Sequence, residues 1–288
     1  MSAPPAIELR GLTKDFAIGL RGVKLRALDN LTLRVAPGEV FGLLGPNGSG
    51  KSTAIKIILG LIAPTAGECA IFGVPSGRTE ARLAVGYSPE APEFYRFLSG
   101  RELVRFYGQL CGLRGATLST RVAEVIDWVG LTEAAGRRVG TYSKGMLQRL
   151  GIAQALVHDP LLVILDEPTA GVDPIGAVAI AELILKLKAE GKTILLTSHL
   201  LAHAEDLCDR IAILDRGRLI VEGAVGDFVG RAGRQALVVE SLPSAELAEL
   251  RDWFAARGRT LELVKPPRAG LAEVFVERVG REREGRES

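Results

Sequence analysis

Residues 45–52 read Gly45-Pro46-Asn47-Gly48-Ser49-Gly50-Lys51-Ser52 and fit the spacing G-x-x-x-x-G-K-[ST]. Ahead of them, Glu39–Leu44 reads as a strand; behind them, Ser52–Leu61 has helical character and stops near Pro64. Strand, glycine loop and helix in that order constrain the fold for a chemical reason. The glycines let successive backbone N–H groups curl around a phosphate, and the helix N-terminus adds partial positive charge. Lys51 is placed to reach the outer phosphates of a nucleoside triphosphate, and the Ser52 hydroxyl to ligate Mg²⁺. The bland alternative, a glycine-rich turn capped by Ser52, leaves the matching strand and helix unexplained.

The rest of the chain agrees with an α/β fold. Leu161–Leu165 and Thr193–Thr197 are continuous apolar or β-branched runs, as in strands buried on both faces of a parallel sheet. Between them Ile180, Leu183, Ile184 and Leu187 recur at helical spacing, and Gly191 ends the pattern. Ile211–Leu214 and Arg218–Val221, split by Asp215-Arg216-Gly217, predict a hairpin. Ile7–Leu9 and Leu28–Val35 predict strands near the N-terminus, and residues from about 92 to 157 are mainly helical, including Glu102–Cys111 and Arg121–Val129. Beyond residue 229 the character changes. Ala236–Glu240 and Thr260–Val264 predict strands, Ser244–Ala256 and Leu271–Val279 helices, and the tail from Arg281 is alternating charge.

Composition excludes several classes. In 288 residues, 36 basic side chains face 34 acidic ones, so the chain lacks the electrostatic footprint of a nucleic-acid binder. No stretch approaches the ~20 apolar residues that span a bilayer. Met1–Pro5 has no basic segment followed by an apolar one, so nothing indicates secretion. Three widely spaced cysteines, Cys69, Cys111 and Cys208, argue against a disulfide framework or a zinc site. His199 and His203, four apart on an expected helix, lack the glutamate and third ligand a zinc pair needs.

Leu161–Leu165 runs straight into Asp166-Glu167, two acids at a strand end where one can hold a magnesium shell and the other can take a proton from water. Tyr142-Ser143-Lys144-Gly145-Met146-Leu147-Gln148-Arg149 opens a helix running to Val157. At this point the chain resembles the ATP-binding subunits of ABC transporters, whose signature is usually Leu-Ser-Gly-Gly-Gln; the variant with Lys144 and Met146 is similar to a group of exporter-type subunits. Ala170-Gly171-Val172-Asp173 is similar to the family's D-loop, Thr197-Ser198-His199 to its switch histidine, and Phe16 stands where an aromatic stacks on adenine. Order and spacing match over about residues 6–228. Two departures stand out. Tyr87-Ser88-Pro89-Glu90 has Glu90 where the family usually has glutamine, and Ala17–Arg26 is longer than the usual loop.

The resemblance implies a P-loop NTPase (RecA-like) core with an antiparallel β subdomain and a helical signature subdomain at about 92–157. Residues 1–229 would form the ATP-binding domain and 230–288 a small α+β accessory unit, whose Gly270–Val276 resembles the end of a segment found on exporter ATPases. It implies ATP and Mg²⁺ bound by Gly45–Ser52 and Thr53, with Ser52, Asp166 and Glu90 toward the metal. Glu167 would be the general base, with Lys51, His199 and Glu90 in the catalytic set. Ser143, Lys144, Gly145 and Asp173 would meet ATP across a head-to-tail dimer of identical or closely related subunits. A multi-spanning permease would be gripped near Phe94–Leu98, placing the chain at the cytoplasmic face of the membrane. The competing readings are a soluble ABC ATPase of DNA repair or translation, and a module that holds ATP without turnover. The first lacks its usual coiled-coil insertion or second cassette here; the second is opposed by Lys51, Asp166, Glu167 and His199 all being present.

Overall fold

The computed structural model describes residues 3–18, 23–199, 201–229 and 243–259. The chain divides into two units, residues 1–229 and 230–288.

The first unit is built on a six-stranded sheet in the order β10-β9-β3-β8-β7-β6. Its members are β3 (Val40–Leu44), β6 (Val85–Ser88), β7 (Leu162–Asp166), β8 (Thr193–Ser198), β9 (Arg210–Asp215) and β10 (Arg218–Ala224). All neighbours pair in parallel except β9 and β10, the expected hairpin. Arg216 (φ 47°) and Gly217 (φ 80°) make its two-residue turn, both left-handed as such a turn demands.

Alternation along the central strands feeds two cores. Val40, Leu44, Val163, Leu165, Ile194 and Leu196 face one apolar cluster; Phe41, Leu43, Leu162, Ile164 and Leu195 face the other. Each such fully buried aliphatic side chain contributes about 1.5–3 kcal/mol. The first cluster is closed by α4 (Gly115–Trp128), α5 (Lys144–Leu156) and α6 (Pro174–Ala189). On α6 the buried face is Ile180, Leu183, Ile184 and Leu187, the expected set. The second cluster is closed by α1 (Lys51–Ile58) and by a four-stranded antiparallel sheet, order β2-β1-β4-β5. That sheet comprises β1 (Ile7–Ile18), β2 (Val23–Val35), β4 (Ala66–Ile71) and β5 (Val74–Pro75).

The helical segment matches its expected place, with α3 (Gly100–Leu110) and α4 falling on the helices expected at Glu102–Cys111 and Arg121–Val129. Ser99 caps α3 by accepting from the Glu102 N–H, while Glu102 returns a bond to the Ser99 N–H. That pairing holds the Glu102 carboxyl below its usual pKa range. The short α2 (Thr79–Leu83), β4, β5 and β6 carry too few residues to announce themselves by periodicity.

Three expectations change. Ala17–Arg26 is not a loop alone: Phe16, Ala17 and Ile18 pair with Leu25, Lys24 and Val23, so β1 and β2 extend into a hairpin. The strand expected at Ile7–Leu9 runs on to Ile18, and Gly11 (φ 59°) sits at a register shift between Leu9 and Leu12, where an irregular residue bends the strand without stopping it. His199 also lies outside the expected helix, in the turn between β8 and α7 (Leu201–Leu207). In the second unit α9 (Ser244–Ala255) matches its expected helix. The strands expected at Ala236–Glu240 and Thr260–Val264, the helix at Leu271–Val279 and the Gly270–Val276 segment lie outside the described residues.

Candidate functional site

Parallel register gathers the site. Leu44 is level with Ser198, Asp166 with Thr197, and Ser88 with Leu165. The next residues of each strand therefore emerge at one edge of the sheet: Gly45 after β3, Glu167 after β7, His199 after β8, and Pro89 and Glu90 after β6. Ligands of open α/β sheets bind at this carboxyl edge.

The loop from β3 to α1 has a shape that only glycine allows at two points. At Gly45 (φ 146°) a Cβ would lie 2.2 Å from the Leu214 carbonyl; at Gly50 (φ 109°) it would lie 2.7 Å from the Ala27 carbonyl. Gly50 is the N-cap of α1 and supplies no side-chain cap, and the first turn carries no acid. Lys51 is 7% exposed, and its Nζ donates to the carbonyls of Gly45 (2.6 Å) and Pro46 (3.2 Å). Among the described ion pairs none neutralises it. The buried Ser49 hydroxyl has no hydrogen-bond partner among the described residues. A buried cation answered only by carbonyls, an unspent hydroxyl and an uncapped helix start fit a polyphosphate.

The acids are organised by a residue that sequence reading missed. The Thr197 hydroxyl, fully buried, donates to Asp166 Oδ1 at 2.5 Å and accepts from the Glu167 N–H at 3.0 Å. Glu167 is itself 8% exposed and left-handed at φ 48°, a conformation uncommon for a side chain of its size. Its Oε2 lies 2.9 Å from His199 Nδ1. Tyr87 stands beside Asp166; burial, then the Asp166 charge and a hydrogen bond to it, push the phenol up to about 12. Thr197 could be found only by pairing β7 with β8, since the two partners are far apart in the chain.

Asp166 has the Thr197 and Tyr87 hydroxyls beside it, an oxygen setting that suits a hard cation such as Mg²⁺. Among the described residues no three His, Cys, Asp or Glu side chains gather into a metal cluster. A magnesium ion would thus be held by Ser52 and Asp166 and would take its remaining oxygens from phosphate and water.

Other expected residues sit around this edge with other partners. Phe16 is half-exposed on the β1–β2 hairpin, with Lys14 Nζ 5.2 Å from its ring centroid. That hairpin touches the phosphate loop where Leu28 and Ala27 approach Gly50. Glu90 is exposed, and the preceding Pro89 carbonyl accepts from the buried Gln148 of α5 at 3.5 Å. Ser143 caps α5 by accepting from the Met146 N–H, and Asp173 caps α6 by accepting from the Gly176 N–H. Lys144 and Gly145 adjoin Gly171 and Val172 of their own chain. Of the aromatic run, Phe94 and Leu98 pack inward against the core, whereas Tyr95 and Phe97 are 55% and 70% exposed. No helix among the described residues is long and apolar enough to cross a membrane.

Comparison with known proteins bears on the family and the fold. The family model described as "ABC transporter" matches residues 28–170. An uncharacterized ABC transporter ATP-binding protein of Nostoc sp. is 41% identical over 232 residues, covering 80% of this chain and 69% of that protein. The Nod factor export ATP-binding protein I of Rhizobium sp. is 39% identical over 221 residues, covering 76% of this chain and 71% of that protein. A dimeric ATP-binding cassette solved in a post-hydrolysis state with ADP and Pi superposes with a TM-score of 0.70 at 28% identity, over 76% of this chain and 98% of that one.

Proposed function

Because the chain belongs to the ABC transporter ATP-binding family, we propose that it is the ATP-hydrolysing subunit of an exporter-type assembly, working as a head-to-tail dimer. The observation that carries this reading is the convergence of the Gly45–Ser52 loop, Asp166, Glu167 and His199 on one sheet edge. The exporter direction draws support from the Lys144 and Met146 signature variant and from the likeness to a Nod factor export protein.

The residues divide the work as follows. The loop from Gly45 to Thr53 enfolds the phosphates of ATP, with Lys51 turning from its carbonyl partners toward the outer ones. Ser52 and Asp166 would hold Mg²⁺, which would withdraw charge from the phosphate oxygens. Glu167 accepts a proton from water as the water oxygen bonds to the γ-phosphorus. The bond from that phosphorus to the β,γ-bridging oxygen breaks, giving ADP and phosphate. General-base assistance of this kind is worth ~10²–10⁴-fold in rate. His199 orients the Glu167 carboxylate through Nδ1 and meets the γ-phosphate, stabilising charge that grows in the transition state. Glu90 completes the set from the β6 side, and Phe16 stacks on adenine. Ser143, Lys144, Gly145 and Asp173 face the ATP of the opposite subunit, whose γ-phosphate thereby joins the two chains.

The transported substrate is met by a separate multi-spanning permease, and Tyr95 and Phe97 form the contact to it. The chain then sits at the cytoplasmic face of the membrane. Residues 230–288 serve as an accessory unit for dimer contact or regulation. Reconstitution with candidate multi-spanning permease subunits tests the proposal: with the cognate one, ATP hydrolysis in proteoliposomes rises above that of the chain alone. Tyr95→Ala with Phe97→Ala removes that rise and leaves hydrolysis by the isolated chain unchanged. No stimulation by the permease, or stimulation that survives the double substitution, contradicts the permease assignment.

A further inference from the structure

The signature loop and the D-loop of one chain are latched together. At Gly171 (φ 68°) the position a Cβ would take lies 2.3 Å from Lys144 Nζ, 2.7 Å from its Cε and 3.0 Å from its Cδ. The end of the lysine therefore occupies the space that any side chain at Gly171 would need. One residue on, Val172 Cγ1 lies 3.6 Å from the corresponding point on Gly145. Two consecutive residues of each loop thus lie in contact, and the Lys144 contact depends on a lysine where the signature usually has glycine. The D-loop side of the latch runs on to the chemistry, since the Ala170 N–H donates to the carbonyl of Glu167 at 3.0 Å.

We propose that Lys144 is a positioning residue that couples the two ATP sites: it clamps the D-loop of its own chain at Gly171 until the γ-phosphate of the opposite subunit's ATP draws it away. This rests on the head-to-tail reading given above. Lys144 is exposed, and its ammonium has no carboxylate partner among the described ion pairs. A γ-phosphate end carrying about two negative charges, arriving at Ser143–Gly145, is a far stronger attractor than a glycine backbone. Once the lysine leaves, residues 170–173 can shift, and with them the backbone that carries Glu167. Each ATP thereby reports its arrival to the site that lies on the other side of the dimer, a coupling of the usual 5–150-fold size.

The test compares Lys144→Met, which keeps an unbranched apolar stem but removes the charge, with Lys144→Arg, which keeps the charge. ATP dependence of turnover is measured on the full-length chain, and ATP-driven dimerisation is measured separately in the Glu167→Gln background. We expect the unsubstituted chain to show a sigmoidal rate curve with a Hill coefficient approaching 2. Lys144→Met should bring it to about 1 with unchanged thermal unfolding, and Lys144→Arg should restore part of the sigmoidicity. If Glu167→Gln forms dimers with ATP and Lys144→Met leaves the Hill coefficient unchanged, or the parent chain itself is hyperbolic, the coupling role is overturned. If Glu167→Gln forms no dimer at all, the head-to-tail reading fails first and the proposal falls with it.

Discussion

Glu167 Oε2 and His199 Nδ1 lie 2.9 Å apart, joining residues that emerge from neighbouring parallel strands, 32 positions apart in the chain. Each constrains the other. The carboxylate is almost fully buried on a left-handed backbone, and the imidazole is its side-chain partner at the site's edge.

His199→Ala should lower kcat for ATP hydrolysis by about 10²–10³-fold, the scale for removing one charge-stabilising donor. Equilibrium ATP binding should change little, because Lys51 and the phosphate loop remain. A kcat within threefold of the parent would contradict the role given to His199.

Thr197→Val tests the buried bridge. Valine keeps the shape but strands the Glu167 N–H and one oxygen of Asp166, so stability should fall by about 1–3 kcal/mol in denaturant melts. Turnover should fall too, because both acids lose the group that fixes them relative to each other. Wild-type stability together with wild-type turnover would refute the bridge.

His158 gives a pH dependence with a definite sign. Burial is the main cause holding its pKa below the ordinary 6.5, with Arg121 and Lys192 adding to it, while the Val85 carbonyl and Asp159 pull the other way. Nε2 lies 3.1 Å from the Val85 carbonyl, and Nδ1 is buried without a partner among the described residues. Below pH 6.5 the unfolded chain takes up a proton that the folded chain refuses, so this contribution to stability is present above 6.5 and is lost as pH falls through the folded pKa. Urea midpoints measured from pH 7.5 downward should therefore drop more steeply for the parent than for His158→Gln. Parallel curves would remove His158 from the explanation.

Thiol chemistry separates the three cysteines. Burial pushes Cys69 up to about 11 and, with the neighbouring Asp209 charge, Cys208 up to about 12, and both are buried. Cys111 is exposed. Titration with an aromatic disulfide reagent at pH 8 should detect one thiol in the native chain and three after unfolding. Rapid modification of all three in the native state would show that the two apolar cores open readily.

Much of the site was legible because its chemistry is local. Gly45–Ser52 is one continuous loop, and Asp166-Glu167 closes one apolar strand, so residue type and spacing within a few positions identify them. The partners that tune them are not local. Thr197 serves Asp166 and Glu167 only after β7 and β8 align in register, and Lys144 meets Gly171 only after α5 and the loop beyond β7 pack together. The fold shows the same division. Helix α6 was evident from its apolar stripe and its Gly191 stop, whereas of β1 only Ile7–Leu9 was legible, because the strand bends at Gly11 before continuing to Ile18. Tyr87 was visible as a residue, but its closeness to Asp166 depends on β6 lying beside β7.

The central claim is that ATP joins two copies of this chain and that Glu167 ends the union by hydrolysis. Light scattering of purified Glu167→Gln, with and without Mg²⁺ and ATP, addresses it most directly. The account predicts a monomer without nucleotide and a stable dimer holding two ATP with it, while phosphate release falls by about 10²–10⁴-fold. A Glu167→Gln chain that stays monomeric at saturating ATP, or that hydrolyses ATP at the parent rate, would contradict it.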